Sequence, residues 1–210
     1  MHQHTFHRTF SRTLATAGLA LAVTLGAAGC GDDSTTDPGT SQTSATDHSE
    51  ADVAFATDMI QHHAQALSMV DLTIGRTLDP QVQALAEDIR AAQAPEIETM
   101  VDWLTSWDEE VPETVRDHAN AEHGSSSTST DMPGMMSAED MEALEDAPDA
   151  EFQTMWLEMM VEHHSGALEM AKSEQDGGTY GPAVALAGSI IESQSAEIEQ
   201  MESLLEDLDT

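Results

Sequence analysis

The chain of 210 residues contains a single cysteine, Cys30, so it can close no internal disulfide and presents no pair of thiolates to a metal. Basic residues are almost as scarce. Six lysines and arginines face 40 aspartates and glutamates, for a formal net charge of −34. A surface of that sign repels nucleic-acid phosphates and anionic lipid headgroups and gathers cations. Most of these acids read as solvated helix faces. HExxH, GxSxG, P-loop and GxGxxG patterns are all missing, so no standard zinc-protease, serine-hydrolase or nucleotide-binding signature is present. No segment alternates in the manner of a β-strand. Long apolar runs are also lacking, with one exception. Leu14 to Ala28 is apolar, follows Arg8 and Arg12, and closes on Gly29-Cys30. It is shorter than the roughly 20 residues a spanning helix needs.

That exception predicts a secretory signal over residues 1–29, with Cys30 becoming a lipidated N-terminus. Ala27 stands where a lipobox usually carries Leu. Residues 30–49, rich in Ser, Thr, Asp and Gly, then predict a disordered tether to the cell membrane on its extracytoplasmic side.

What the chain does have is a repeat. Phe55-x3-Met59-Ile60-x-His62-His63-x2-Ala66-Leu67-x-Met69 returns 101 residues later as Trp156-x3-Met160-Val161-x-His163-His164-x2-Ala167-Leu168-x-Met170. Gln93-x2-Glu96-Ile97-Glu98-x-Met100 returns at the same offset as Gln194-x2-Glu197-Ile198-Glu199-x-Met201. Aligned without gaps, 55–105 and 156–206 share 16 identities in 51 positions, which marks a duplicated helix-helix unit.

Apolar residues at three- and four-residue spacing predict helices over about 50–75, 80–107, 149–174 and 182–207. Gly75 and Pro80 punctuate the first hairpin, and Pro95 predicts a kink or break in the second helix. Ser137 with Asp140 predicts a capping box for a short helix over 138–146. The fold class expected is all-α, a four-helix bundle over 50–208. Repeat 1 spans 50–107, the crossover 108–148 and repeat 2 149–208.

Residues three and four apart share a helix face. Met59 therefore shares a face with His62 and His63, and Met160 with His163 and His164. Met69 and Met170 lie seven residues beyond His62 and His163, on that same face. Imidazole suits copper, zinc, iron and nickel, while thioether selects soft Cu(I). With no competing thiolate, His plus Met points to copper, Cu(I) ahead of Cu(II), and to zinc less. Metal-bound histidine usually donates its other N–H to a carboxylate, and Glu96 and Glu197 are placed for that role. Met132, Met135 and Met136, with His118 and His123 upstream, form either a second copper-binding segment or a patch that docks the crossover on the bundle. A di-iron carboxylate site is disfavoured, because Thr99 and Gln200 stand where the Glu-x-x-His motif needs histidine.

The doubled His-His frame and the intervening Met132-Pro133-Gly134-Met135-Met136-Ser137 element resemble the DUF305 family, over about residues 52–206. The resemblance implies an exported, ferritin-like four-helix bundle, in a family that includes periplasmic copper-binding proteins. By position it implies His62, His63, His163, His164, Met59, Met69, Met160, Met170, Met135 and Met136 as copper ligands. Two other readings stay open. One is an envelope interaction module whose histidines are structural; the other is a metal-dependent enzyme. A homodimer or an envelope protein partner is also open; nucleic acid is not expected.

Overall fold

The structure is a computed structural model that describes residues 47–116 and 132–208. The expected signal segment, Cys30, most of the tether, His118 and His123 lie outside the described residues.

Five helices account for the fold, and no strand occurs among the described residues. Helix α1 spans Glu50–Asp71 and starts at a reciprocal capping box. Asp52 N–H donates to Ser49 Oγ, and Ser49 N–H donates to Asp52 Oδ2 at 2.6 Å. It stops four residues before the expected end. The Thr73 hydroxyl donates to Val70 O at 2.7 Å and competes for a helix carbonyl. Gly75 then turns the chain at φ +81, a conformation that favours glycine. Helix α2 spans Pro80–Ser106, with Asp79 capping Gln81 N–H at 2.7 Å. It continues without interruption through Pro95, where the sequence predicts a kink or break. Helix α3 spans Ala138–Asp146 behind the Ser137–Asp140 capping box. Helix α4 spans Asp149–Gly177 and α5 spans Gly181–Leu208. No described helix is long and apolar enough to cross a membrane.

The helices α1 and α2 form one hairpin and α4 and α5 the other, and α1 packs against α4. The duplication is visible in two reciprocal clasps. Asp52 accepts the Tyr180 N–H at 2.9 Å, while Gln153 accepts the Asp79 N–H at 2.6 Å. Each pair maps onto the other by the same 101-residue offset. Each hairpin's first helix therefore holds the turn of the opposite hairpin.

The apolar core is not continuous. One cluster gathers Ala66, Met69, Ile89, Trp156, Met160 and Met201, with their neighbours. The other gathers Phe55, Met59, Ile60, Met100, Ala167 and Ile190, with theirs. In α1 the boundary falls between Ile60 and Ala66, and in α2 between Ile89 and Met100. In α4 it falls between Met160 and Ala167, and in α5 between Ile190 and Met201. Every gap holds the buried polar residues of the repeat, so a polar layer crosses the middle of the bundle.

A second buried polar pair sits at the clasp. Asp52 is fully buried and takes donors from Ser49, Thr179 and Tyr180. Burial alone would raise its pKa, but the hydrogen bonds from Ser49 and Tyr180 outweigh burial and hold it far below the usual carboxylate range. Glu174 lies beside it, 1% exposed, with no donor at either carboxyl oxygen. Burial, and then the Asp52 carboxylate, push its pKa from 4.5 up to about 8. Glu174 is therefore protonated at neutral pH. A carboxyl whose pKa is raised on folding stabilises the fold below its unfolded value, and that stability is lost as pH rises through its folded value. Glu174→Gln keeps a neutral donor at every pH. Near pH 9 the variant is expected to exceed the wild type by about 1–3 kcal/mol. Thermal melts of both proteins across the alkaline range check this; identical pH profiles would show that the pair is not coupled.

Candidate metal centre

The polar layer is built where α1 crosses α4. The rings of His62 and His163 meet there with centroids 3.8 Å apart, tilted by 39°. Their sequence neighbours turn back into their own hairpins. His63 Nε2 lies 2.7 Å from Glu96 Oε2, and His164 Nε2 lies 2.8 Å from Glu197 Oε2. All four rings are fully buried, whereas the two glutamate side chains keep 17% and 15% exposure. Each glutamate thus connects a buried imidazole to the solvent-side face.

These partners set the tautomers. A carbonyl or carboxylate oxygen only accepts, so the facing Nε2 carries the proton. His62 donates its Nε2–H to Pro133 O at 3.0 Å. His63 and His164 donate theirs to the glutamates. In the neutral ring the Nδ1 lone pair is then left over, and none of the four Nδ1 atoms has a protein partner. His163 has no partner at either nitrogen. Burial, followed by the neighbouring His63, lowers the His62 pKa from 6.5 to about 3. Burial, followed by His62, also holds His163 well below 6.5. Both rings are neutral, lone-pair donors at neutral pH.

The Pro133–Met136 element reaches this layer and breaks its symmetry. Gly134 has φ +73, and a Cβ there would lie 2.6 Å from Glu162 O. A Cβ on Gly166 would lie 2.0 Å from Pro133 O. Loop backbone therefore presses directly on α4 backbone, which only glycine at both positions permits. Gln65, the repeat counterpart of Gly166, holds the loop from α1. Its Nε2 donates to Met136 O at 2.9 Å, and its Oε1 accepts Met136 N–H at 2.7 Å. One repeat supplies a clamp and the other a groove, so His62 gains a partner that His163 lacks.

The methionines divide. Met59 and Met160 are fully buried, one turn from the histidines, in the opposite apolar clusters that bound the layer. Met69 is fully buried in one cluster, and Met170 packs partly buried against the other, so these two do not come together. Met136 is buried in the first cluster, and Met135 is half-buried. Among the described residues no three His, Cys, Asp or Glu side chains form a ready-made metal set. What the layer offers is neutral imidazole nitrogen with thioether sulfur one turn away. Sequence reasoning did not single out Gln65 or the Pro133 carbonyl, since loop docking leaves no periodic signal. It did register Gln93 and Gln194 as repeated positions, without a role.

A cavity of about 350 Å³ lies beside this layer between α1 and α4, lined in part by Asp58, Pro133, Glu169, Met170 and Glu174. Burial raises the pKa of Asp58 there.

No curated protein sequence matches the chain. Solved structures do. A DUF305 protein from Streptomyces coelicolor is 32% identical, with a TM-score of 0.65, over 76% of this chain and 94% of its own. CopM in its Cu(II)-bound form is 28% identical with a TM-score of 0.61, and in its Cu(I)-bound form 26% identical with a TM-score of 0.59. Each covers 74% of this chain and 96% of its own. The sequence profile of DUF305, a domain of unknown function, matches residues 52–205. That span takes in both histidine frames, the glycine loop between them and both glutamate blocks, and the chain belongs to the DUF305 family.

Proposed function

We propose that this protein binds copper in its polar layer, outside the cytoplasm, and either sequesters the metal or hands it on without turnover. The observation that carries the reading is the set of five imidazole nitrogens, the four Nδ1 atoms and His163 Nε2, that are buried and have no protein partner. An unsatisfied buried polar atom costs about 1–3 kcal/mol. Five of them amount to a sum comparable with the roughly 5–15 kcal/mol that keeps a domain folded. A cation that takes the four lone pairs, one from each neutral ring, removes most of that cost and leaves one His163 N–H to be bonded.

The donor types argue for which cation. Imidazole is shared by several metals, and the neighbouring Met59 and Met160 thioethers favour the soft Cu(I) over Cu(II) and zinc. Related CopM has been captured with Cu(I) and with Cu(II). Glu96 and Glu197 orient two of the rings, as carboxylates do for metal-bound histidine. The acidic surface is where a cation would first be drawn in, and the cavity beside Pro133, with Asp58, Glu169 and Met170 in its lining, adjoins the layer. Met69 and Met170, two turns from His62 and His163, and Met135 and Met136, on the loop that reaches the layer, are the remaining proposed thioether ligands. Cys30 anchors the chain to the cell membrane. The Streptomyces coelicolor relative is described as a secreted protein.

Anaerobic titration with Cu(I) against a chromophoric chelator, with Zn(II) in parallel, tests the reading. Tight Cu(I) and weak Zn(II) binding are expected, with Cu(I) affinity falling at least about tenfold in His62→Ala/His163→Ala. Unchanged affinity after replacing all four histidines would reject it in favour of an interaction module with structural histidines.

Acid sensitivity offers a second check. Unfolded imidazoles take protons near 6.5, whereas folded His62 resists until about 3. Stability from these rings is complete above the unfolded value and drains away as pH falls through that window. The metal-free protein is expected to lose melting temperature between about pH 7 and pH 4 more steeply than His62→Leu/His163→Leu. Parallel slopes for the two proteins would mean that these rings are not held neutral by the fold.

A further inference from the structure

Gln93 and Gln194 are the remaining buried polar residues of the layer. They occupy equivalent positions 101 residues apart, each in the gap between the two apolar clusters. They are 1% and 2% exposed. Both amide atoms of Gln93 and Oε1 of Gln194 have no protein partner. Each precedes by three residues the glutamate that holds a histidine, so each lies one turn along the same helix face. Leaving a primary amide buried and unbonded is unfavourable, and an apolar residue of similar size would avoid it. Both copies of the repeat nonetheless carry glutamine here.

A metal ion satisfies only half of such a group. It accepts the lone pairs of an amide oxygen, but the Gln93 Nε2–H needs an acceptor. The nearest carboxylate along α2, Glu96, accepts from His63 and is not a partner of Gln93 Nε2. A free anion is opposed by a chain of net charge −34. Water meets every requirement, since it accepts from Nε2–H and donates to Oε1. Water is also a ligand that separates the two oxidation states of copper. Cu(II) prefers tetragonal nitrogen and oxygen coordination, whereas Cu(I) prefers soft donors.

We propose that Gln93 and Gln194 hold water on a metal ion bound by the histidines, and so fit the layer to Cu(II) as well as to Cu(I). The proposal rests on the copper reading above and adds two binding residues to it. Replacing both glutamines should hurt one oxidation state and spare the other.

Pulsed EPR of the Cu(II)-loaded protein in D2O gives the direct test. Exchangeable deuterons at the distance of a coordinated water are expected in the wild type and should be lost in Gln93→Leu/Gln194→Leu. The same variant should bind Cu(II) about tenfold more weakly or worse, with Cu(I) affinity within about twofold of wild type. Without metal it should melt higher, because leucine removes unbonded buried amides. A lower melting temperature would make the glutamines bonded core residues and overturn the proposal. Equal loss for both oxidation states would also overturn it. If the double variant fails to fold, Gln93→Leu and Gln194→Leu singly give the same comparison, and the wild-type deuteron measurement stands alone. Protein that binds Cu(I) tightly but shows no water on Cu(II) refutes the glutamine assignment and leaves the copper reading intact; protein that binds neither ion refutes both.

Discussion

Four imidazoles buried at mid-height of the bundle constrain everything packed around them. None is exposed to bulk solvent, so their N–H groups need acceptors inside the bundle, and burial holds His62 and His163 in the neutral form. Three find one: Glu96, Glu197 and the Pro133 carbonyl. Each acceptor comes from a different element, α2, α5 and the crossover. Histidine placement thus dictates that both hairpins close on their own glutamate and that the crossover folds back over α1 and α4. The apolar clusters on either side supply the burial, and the Asp52 and Gln153 clasps fix each hairpin's turn to the other's first helix.

Duplication builds a nearly two-fold object, and the crossover makes it one-sided. A single loop cannot dock twice across a pseudo-two-fold axis. Gln65 and Gly166 resolve this by diverging at equivalent positions, one as a hydrogen-bonding clamp and the other as a space into which Pro133 backbone fits. His62 and His163 consequently differ in partners although their frames are alike. The His62 ring is oriented by a hydrogen bond to the Pro133 carbonyl, a partner that His163 lacks. These two inequivalent rings meet at the α1–α4 crossing with centroids 3.8 Å apart.

The all-α class, the helix positions and the pairing of the repeats were legible because the relevant signals are local and periodic. The capping boxes at Ser49 and Ser137 and the turns at Gly75 and Pro80 are read from a few adjacent residues. Helix ends were less legible. A side chain such as Thr73 bonds back to Val70 and ends α1 early, against a continuing apolar pattern. At the candidate site, residue types and spacing brought His62, His63, His163 and His164 to attention, together with their glutamates. Which nitrogen is free, however, depends on partners 33 and 71 residues away. Spacing on one helix face suggested that Met69 and Met170 act alike. The crossing of α1 and α4 sets them in opposite apolar clusters, as it does Met59 and Met160. Residue–residue geometry across that crossing has no counterpart in a one-dimensional pattern.

The charge distribution separates attraction from retention. Carboxylates crowd the surface, where they draw in any cation and, as hard donors, discriminate weakly among divalent ions. The polar layer between α1 and α4 presents imidazole nitrogen flanked by thioether sulfur. Neutral donors in a buried layer give little to a strongly hydrated hard ion, which would forfeit its water for few oxygens. They compensate a soft or borderline ion well. On the copper reading, selectivity therefore arises in passing from an anionic surface to a layer of neutral donors. The scarcity of cysteine then becomes intelligible: thiolates would hold copper more tightly, whereas imidazole and thioether let the metal leave again when a stronger acceptor presents itself.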